Sequence, residues 1–182
     1  RRADRQRARG RIVGGSQGAK IFNDIVPDAI KTLPSKARPE VWHQCGRHAK
    51  AQVASAYGDK SVKVTEFIEN MAEAYAWADV VLCRAGAMTI AELAASGSAA
   101  ILVPYLHAVD DHQTANARFL SDREAAVLIP QPECTVERLR ELLTGFAANR
   151  DILLKMARAA RHLAVTDAAD TVAGLCVGLA DA

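Results

Sequence analysis

The chain has 182 residues, half of them hydrophobic and 24% charged, so its composition predicts one globular domain with a sizeable core and excludes a disordered chain. No run of about 18 apolar residues is present, so a membrane-spanning helix is not expected. The net charge of +2 conceals a basic start, because residues 1–11 hold six arginines and one aspartate and leave 17 basic and 20 acidic residues elsewhere.

The basic start predicts an arm over residues 1–10, ahead of a folded domain over residues 11–182. A solvated linker is favoured over an arm that binds nucleic acid or anionic lipid, because no aromatic residue interleaves the arginines and the remainder is acidic. Nucleic acid is therefore not an expected partner. No apolar segment follows the arginines, so they do not begin a secretory signal. The four cysteines are far apart and form no C-x-x-C pair, which predicts reduced thiols in a cytosolic compartment.

Short apolar runs alternate with helical patterns along the chain. Strands are predicted at 11–13, 41–44, 62–67, 80–83, 100–103 and 126–129. Helices are predicted near 18–33, 47–57, 71–78, 89–96, 111–121, 135–148, 152–163 and 167–180. Because the strands are continuous apolar runs, they predict an α/β fold with a doubly wound parallel sheet of about six strands, covered on both faces. Pro27 lies inside the first helical pattern and is expected to kink or split it.

The loop "VGGSQGA" at 13–19 follows the first strand and has few side chains. Such a loop lets a phosphate approach the main-chain N–H groups, and Ser16 could cap the following helix or contact the phosphate. It is not a P-loop, because Lys20 is not preceded by glycine and is followed by Ile21. A dinucleotide site is also disfavoured, because the expected acidic residue would be Glu40, at the wrong end of the next strand.

The loop "CRAGAMTIAELAASG" at 83–97 follows the fourth predicted strand. Thr89 and Glu92 have the spacing of a capping box, which the pattern favours. The alternative is a ligand site. In that case the N–H groups at the start of the helix hold phosphate, and Glu92 accepts hydrogen bonds from a ribose diol.

The polar loop "PYLHAVDDHQTANA" at 104–117 follows the fifth predicted strand. A metal is not expected there, because His107 and His112 are five residues apart and no further ligands support them. The interpretation is helix capping by Asp110 or Asp111, with three side chains available to a polyhydroxyl ligand: His112, Gln113 and Asn116. In "WHQCG", His43 and Cys45 are interpreted as packing residues rather than catalytic ones.

Five segments together resemble one known family: "VGGSQGA", "WHQCG", "VTEFIENMAEAYAWADVVLCRAGAMTIAELAASG", "VPYLHAVDDHQTANA" and "DAAD". They resemble the C-terminal half of the MurG family of UDP-N-acetylglucosamine transferases, which make the lipid II precursor of peptidoglycan. The resemblance covers nearly all of residues 12–180. It implies the Rossmann-like C-terminal half of a two-domain GT-B glycosyltransferase, in which this half holds the nucleotide sugar.

The resemblance also implies roles for particular residues. Ser16, with Gly15 and Gly18 nearby, would contact the nucleotide, and backbone groups of Ile68 would meet the uracil edge. Glu92 would bind the ribose hydroxyls, and Gln113 the sugar hydroxyls, with His112 and Asn116 nearby. The diphosphate would lie against the helix start formed by Ala87, Met88, Thr89, Ile90 and Ala91. No metal or other cofactor is implied.

The family's N-terminal domain, with its proposed base and its acceptor face, is not contained in the 182 residues. The resemblance therefore implies binding of UDP-N-acetylglucosamine without turnover by this chain alone. The acceptor lipid I would bind through the other domain, and the parent enzyme would be cytoplasmic, peripheral on the inner face of the bacterial inner membrane. Two alternatives remain: half of another UDP-sugar enzyme of the same architecture, such as an epimerase, or a non-enzymatic nucleotide-sugar binding module.

Overall fold

The computed structural model describes residues 9–13, 19–59 and 61–180, and within them six strands form one parallel sheet. The strands are β1 Arg9–Val13, β2 Glu40–Gln44, β3 Lys63–Thr65, β4 Val80–Cys83, β5 Ala99–Leu102 and β6 Ala126–Leu128. Their order in the sheet is β3-β2-β1-β4-β5-β6, and every pairing is parallel. The predicted doubly wound α/β fold is confirmed.

Eight α-helices lie in the described residues. They are α1 Lys20–Thr32, α2 Lys50–Tyr57, α3 Met71–Trp77, α4 Ala87–Ser96, α5 His112–Ser121, α6 Val136–Ala148, α7 Asp151–His162 and α8 Ala168–Ala180. Short 3-10 turns cover Val109–Asp111 and Gln131–Glu133. None of the helices in the described residues is long and apolar enough to cross a bilayer.

The boundaries differ from the predicted ones where backbone pairing, and not hydrophobicity, sets them. Strand β1 begins at Arg9 because its backbone continues to pair with β2, where Arg9 lies opposite Glu40. Strand β3 is shorter than predicted, since it forms the edge of the sheet and pairs only over three residues. Residues 1–8 of the predicted arm lie outside the described residues.

Helix α1 is continuous from Lys20 to Thr32, so Pro27 does not split it; the alternative of a kink stays a prediction. A proline inside a helix removes one backbone hydrogen bond and usually costs about 3 kcal/mol. Here the proline ring is buried with its neighbours Val26 and Ala29, and this burial of apolar surface offsets the lost bond.

Alternate residues of the central strands pack into two separate apolar clusters. Val80 and Leu82 of β4 belong to the cluster that contains residues of α1, α2 and α6. Val81 and Cys83 belong to the cluster that contains residues of α3, α4 and α5. Because successive strand residues point to opposite faces, the two clusters show that helices cover both faces of the sheet.

The strand order reverses between β1 and β4, which are neighbours although two strands separate them along the chain. In open α/β sheets, ligands bind beyond the carboxyl ends of the strands at such a switch point. The loops that follow β1 and β4 flank this point, so the fold places the candidate site there.

Candidate functional site

The loop after β4 is held by two amide side chains of α5. Gln113 Oε1 accepts a hydrogen bond from the N–H of Ala85 at 3.3 Å, and Asn116 Nδ2 donates to the Ala85 carbonyl at 3.1 Å. Gln113 Oε1 also accepts from the N–H of Tyr105 at 3.0 Å. The two amides therefore fix the backbone of the β4 loop, and Gln113 joins it to the β5 loop.

Arg84 is a central residue of this edge that the sequence analysis missed. Its guanidinium donates to the carbonyls of Val103 and Pro104 at 3.1 and 3.0 Å. The same group lies 5.3 Å from the ring centroids of both Phe22 and Tyr105. Arg84 thus joins the loops after β4 and β5 to the first turn of α1. Burial lowers the pKa of Arg84, but a guanidinium remains charged near neutral pH.

Helix α4 begins two residues before the predicted start, with Gly86 as its N-cap. The first intrahelical bond runs from the N–H of Ile90 to the carbonyl of Gly86 at 3.0 Å. The N–H groups of Ala87, Met88 and Thr89 consequently precede the helical ladder, and within the described residues they have no partner. These groups and the helix dipole favour an anion at this end.

The capping box predicted at Thr89 and Glu92 is wrong, because Thr89 is the third residue of α4 and no side chain caps the helix. Thr89 Oγ1 lies instead above Gly86, 3.8 Å from the position that a Cβ would occupy there. The Thr89 hydroxyl therefore lies at the N-terminus of the helix. Ile90, Leu93 and Ala94 are buried, so they form the core side of α4.

Glu92 lies one turn along α4 and is half-buried. Its Oε2 accepts a hydrogen bond of 2.8 Å from the hydroxyl of Tyr75 on α3. Among the ion pairs of the described residues, none includes Glu92. The carboxylate thus has acceptor capacity beyond the one hydroxyl that holds it.

The loop after β3 places Ile68 in the interior of the protein. The whole residue is 2% exposed, and it packs in a cluster with Trp42 and Ala74. The neighbouring Phe67 is 58% exposed. In the part of the chain that the structure describes, neither backbone polar group of Ile68 has a hydrogen-bond partner. Both groups therefore have unused hydrogen-bonding capacity within the described residues.

Ser16, Gly15 and Gly18 lie outside the described residues, so the structure does not place the predicted glycine loop. The first turn of α1, which follows that loop, is described. Asn23 Nδ2 donates to the Cys45 carbonyl at 3.0 Å, which ties this turn to the end of β2.

A buried chain of polar groups continues from Asn23 to His43 and Tyr57. His43 Nε2 lies 3.0 Å from Asn23 Oδ1, and His43 Nδ1 lies 2.8 Å from the Tyr57 hydroxyl. Because Asn23 uses its Nδ2 on the Cys45 carbonyl, its Oδ1 must accept, so His43 carries its proton on Nε2 and Tyr57 donates to Nδ1. Burial lowers the pKa of His43 to about 4 and raises that of Tyr57. His43 is thus a neutral structural residue.

Cys45 is buried at the end of β2, where its thiol contacts the carbonyls of Gly46 and Thr65. Burial raises the pKa of this thiol, which disfavours the reactive thiolate. Cys83 and Cys134 are also buried, Cys176 is exposed, and all four thiols are free.

The polar loop before α5 contains two residues with positive φ, Asp110 and Asp111. Asp111 occupies the N-cap position, as one of the two alternatives predicted, but its carboxylate accepts from the Thr114 hydroxyl at 2.6 Å and not from a backbone N–H. His112 begins the helix and is exposed. No group of three potential metal-ligating side chains gathers here or elsewhere within the described residues.

Comparison with protein families gives one match over most of the chain. The family described as "glycosyltransferase family 28 C-terminal domain" matches residues 11–172. A curated relative from Shewanella amazonensis is 51% identical over 173 residues, which cover 93% of this chain and 48% of the relative. A relative from Marinobacter nauticus is 48% identical, with 93% of this chain and 47% of the relative covered.

Both relatives are named UDP-N-acetylglucosamine–N-acetylmuramyl-(pentapeptide) pyrophosphoryl-undecaprenol N-acetylglucosamine transferase. The chain spans about half the length of the curated relatives that it matches.

Solved structures show the same likeness. The crystal structure of Acinetobacter baumannii MurG matches with a TM-score of 0.88 and 42% identity, covering 96% of this chain and 53% of that chain. The calicheamicin glycosyltransferase CalG4 matches with a TM-score of 0.66 at 16% identity, covering 97% of this chain and 46% of that chain. The second likeness shows the fold alone, which is that of one half of a GT-B glycosyltransferase.

Proposed function

Because this chain belongs to the glycosyltransferase family 28 C-terminal domains, we propose that it is the donor-binding half of an inverting transferase that uses UDP-N-acetylglucosamine. The reaction of the whole enzyme would convert lipid I into lipid II in peptidoglycan synthesis, as the names of the relatives suggest. One observation carries the proposal. At the switch point of the sheet, the unpaired N–H groups of α4 lie one helical turn from the carboxylate of Glu92.

Uridine diphosphate has three parts that this edge could bind in order: the uracil, the ribose and the diphosphate. The uracil would meet the unpaired backbone groups of Ile68, and the ribose diol would donate to Glu92. The diphosphate would lie against the first turns of α4, which comprise Ala87, Met88, Thr89, Ile90 and Ala91. Ser16 of the glycine loop, with Gly15 and Gly18, would lie on the other side of the switch point.

Hydrogen bonds within the protein limit which atoms of Gln113 and Asn116 could contact the sugar. Gln113 uses its Oε1 on two backbone N–H groups, which leaves its Nε2 as a donor to the sugar hydroxyls. Asn116 donates one N–H of its Nδ2 to the Ala85 carbonyl, so it would position the loop and keep its second N–H as a donor. His112 is exposed beside Gln113 and could reach the same ligand.

During transfer, the acceptor hydroxyl attacks the anomeric carbon and UDP departs with its bonding electron pair. The N–H groups and the dipole of α4 would stabilise the negative charge that develops on UDP, so the proposal requires no metal or other cofactor. His43 is buried with both ring nitrogens engaged and is not a candidate base for the acceptor hydroxyl. Because the chain spans about half the length of its relatives, and the family resemblance implies that the base lies in the other half, we propose binding without turnover by this chain alone.

The acceptor of the proposed reaction is lipid-linked, since the names of the relatives include pyrophosphoryl-undecaprenol. The whole enzyme would then work at the cytoplasmic face of the inner membrane as a peripheral protein. Its acceptor site and membrane contact would lie mostly in the half of the relatives that this chain does not match.

Replacing Glu92 by alanine tests the proposed ribose contact. We expect titration calorimetry to show that UDP and UDP-N-acetylglucosamine bind the unaltered chain, and that Glu92→Ala weakens UDP roughly 10- to 100-fold, because two hydrogen bonds to a charged group are lost. Inorganic diphosphate, which has no ribose, should bind both forms equally.

Glu141→Ala is the matched control, because it removes an exposed carboxylate of α6 whose ion pair with Arg138 contributes little. It should leave the affinity for UDP unchanged. Absence of UDP binding to the unaltered chain at millimolar ligand would contradict the proposed function, and equal losses of UDP and diphosphate in Glu92→Ala would contradict the ribose contact.

A further inference from the structure

Tyr75 holds the carboxylate of Glu92 from a fixed position. Its side chain is 3% exposed and packs in the apolar cluster with Ile90 and Leu93, so the ring cannot move without disturbing the core. Its hydroxyl lies 2.8 Å from Glu92 Oε2. Because an ionised carboxylate only accepts hydrogen bonds, the tyrosine is the donor.

The hydrogen bond from Tyr75 restricts one carboxylate oxygen of Glu92 and leaves acceptor positions for a diol. A carboxylate has about four lone-pair positions, and the tyrosine uses one of them on Oε2. A glutamate on a helix surface otherwise samples several rotamers, and ordering it on binding weakens affinity. With Oε2 anchored, the side chain is already restricted when two vicinal hydroxyls approach.

Tyr75 also connects two of the proposed nucleotide contacts. It belongs to α3, whose N-cap Asn70 accepts from the N–H of Glu73 at 3.0 Å and lies two residues after Ile68. Glu92 belongs to α4. The hydroxyl therefore sets the carboxylate on one helix relative to the loop that begins the other.

We propose that Tyr75 is a positioning residue for nucleotide recognition, whose hydroxyl holds Glu92 in the conformation that accepts the ribose diol. This inference rests on the proposed function. Tyr75 itself does not touch the ligand; it acts only through Glu92. The Tyr75 hydroxyl should therefore raise the affinity for a nucleoside diphosphate, which carries ribose, and should not affect the affinity for diphosphate alone.

The test compares Tyr75→Phe with the unaltered chain. The substitution keeps the buried ring and removes only the hydroxyl. Calorimetry should show a roughly three- to tenfold weaker affinity for UDP, the range expected when one hydrogen bond that orders a charged group is lost. The affinity for inorganic diphosphate should not change. Equal weakening of both ligands would show a general structural effect and would overturn the inference.

A double-substitution cycle separates positioning from stability. In the Glu92→Ala background, Tyr75→Phe should cause no further loss of UDP affinity, because the group that it positions is gone. Full additivity of the two losses would overturn the inference.

Tyr57→Phe is the matched control, since it removes the hydroxyl of another buried tyrosine, whose partner is His43 and not Glu92. Thermal unfolding of all variants measures their stability. Tyr57→Phe should lower stability while keeping the ratio of UDP to diphosphate affinity. An equal change of that ratio in both tyrosine variants would overturn the inference.

The outcomes also separate this inference from the function on which it rests. If Glu92→Ala weakens UDP and Tyr75→Phe does not, the ribose contact stands and the positioning role is overturned. If Glu92→Ala leaves UDP binding unchanged, the ribose contact fails and the positioning role fails with it.

Discussion

At the scale of single residues, His43 shows how one buried side chain couples stability to pH. Its ring is fully buried and bonded at both nitrogens, and burial lowers its pKa from 6.5 to about 4. The unfolded chain therefore takes up a proton near pH 6.5, whereas the folded chain takes it up only near pH 4. The titratable group in direct contact is Tyr57, whose own pKa is raised by burial.

We expect the free energy of unfolding to be independent of His43 above pH 6.5 and to fall by about 3 kcal/mol as the pH drops from 6.5 to about 4. Urea denaturation across this pH range measures the fall. His43→Gln should flatten the dependence relative to the unaltered chain, whereas His107→Gln, at an exposed position, should not. The same pH dependence in all three chains would contradict the neutral, buried histidine.

Single residues also show what the sequence could not reveal. The roles of Arg84 and Tyr75 depend on partners 17 to 20 positions away, namely Glu92 and two carbonyls of the β5 loop. Spacing patterns report neighbours within one helix or strand, so such contacts leave no local signal. For Glu92, spacing alone favoured a capping box, and the family resemblance implied the ligand role, which stays a prediction.

At the scale of elements, the end of α4 depends on a glycine that no other residue can replace without strain. Gly97 is the C-cap, with φ of 59° and ψ of 53°, in the left-handed region. A Cβ there would lie 3.2 Å from Cβ of Arg161 and 3.3 Å from the Ala157 carbonyl oxygen, both on α7. The glycine therefore permits both the turn and the close approach of α7.

We expect Gly97→Ala to lower the free energy of unfolding by about 1–3 kcal/mol, because it combines a left-handed backbone with a crowded Cβ. Gly145→Ala is the matched substitution inside α6, where a Cβ would have nothing within 4 Å. It should raise stability by about 0.5–1 kcal/mol through its higher helix propensity. Chemical denaturation measures both, and equal signs would contradict the argument.

The elements also differ in how well sequence predicted them. The buried runs of β4 and β5 were found almost to the residue, because continuous apolar runs between polar turns are typical of central parallel strands. The start of α4 was missed because Thr89 offers a good cap in sequence, while the structure uses Gly86. Helix α1 continues through Pro27 although proline usually breaks helices, because the burial of its ring depends on tertiary packing that the local sequence does not show.

At the scale of the whole molecule, the sheet brings the proposed contacts to one edge from segments far apart in the chain. The order β3-β2-β1-β4-β5-β6 places the loops after β3, β4 and β5 at the carboxyl ends of parallel strands. The segments that carry Ile68, Glu92 and Gln113 follow these three strands. The alternation of strands and helices predicted this edge, but the side-chain contacts across it required the structure.

We expect the whole chain to bind UDP-N-acetylglucosamine without releasing UDP from it, because the chain spans about half the length of its relatives and the family resemblance implies that the base lies in the other half. A coupled assay of UDP release, with lipid I as acceptor, measures this. The Glu92→Ala variant gives the background rate. Release by the unaltered chain clearly above that background would contradict the prediction and assign turnover to these 182 residues.

The loop after β3 has a consequence for how such proteins diversify. The side chain of Ile68 packs in the interior, and its peptide groups have no hydrogen-bond partner among the described residues. Selection at that position would act on volume and not on chemical identity, so valine, leucine or methionine could replace isoleucine without altering base preference. If its peptide groups meet the base as proposed, this position could vary among homologues, and a survey that counts invariant positions would overlook it.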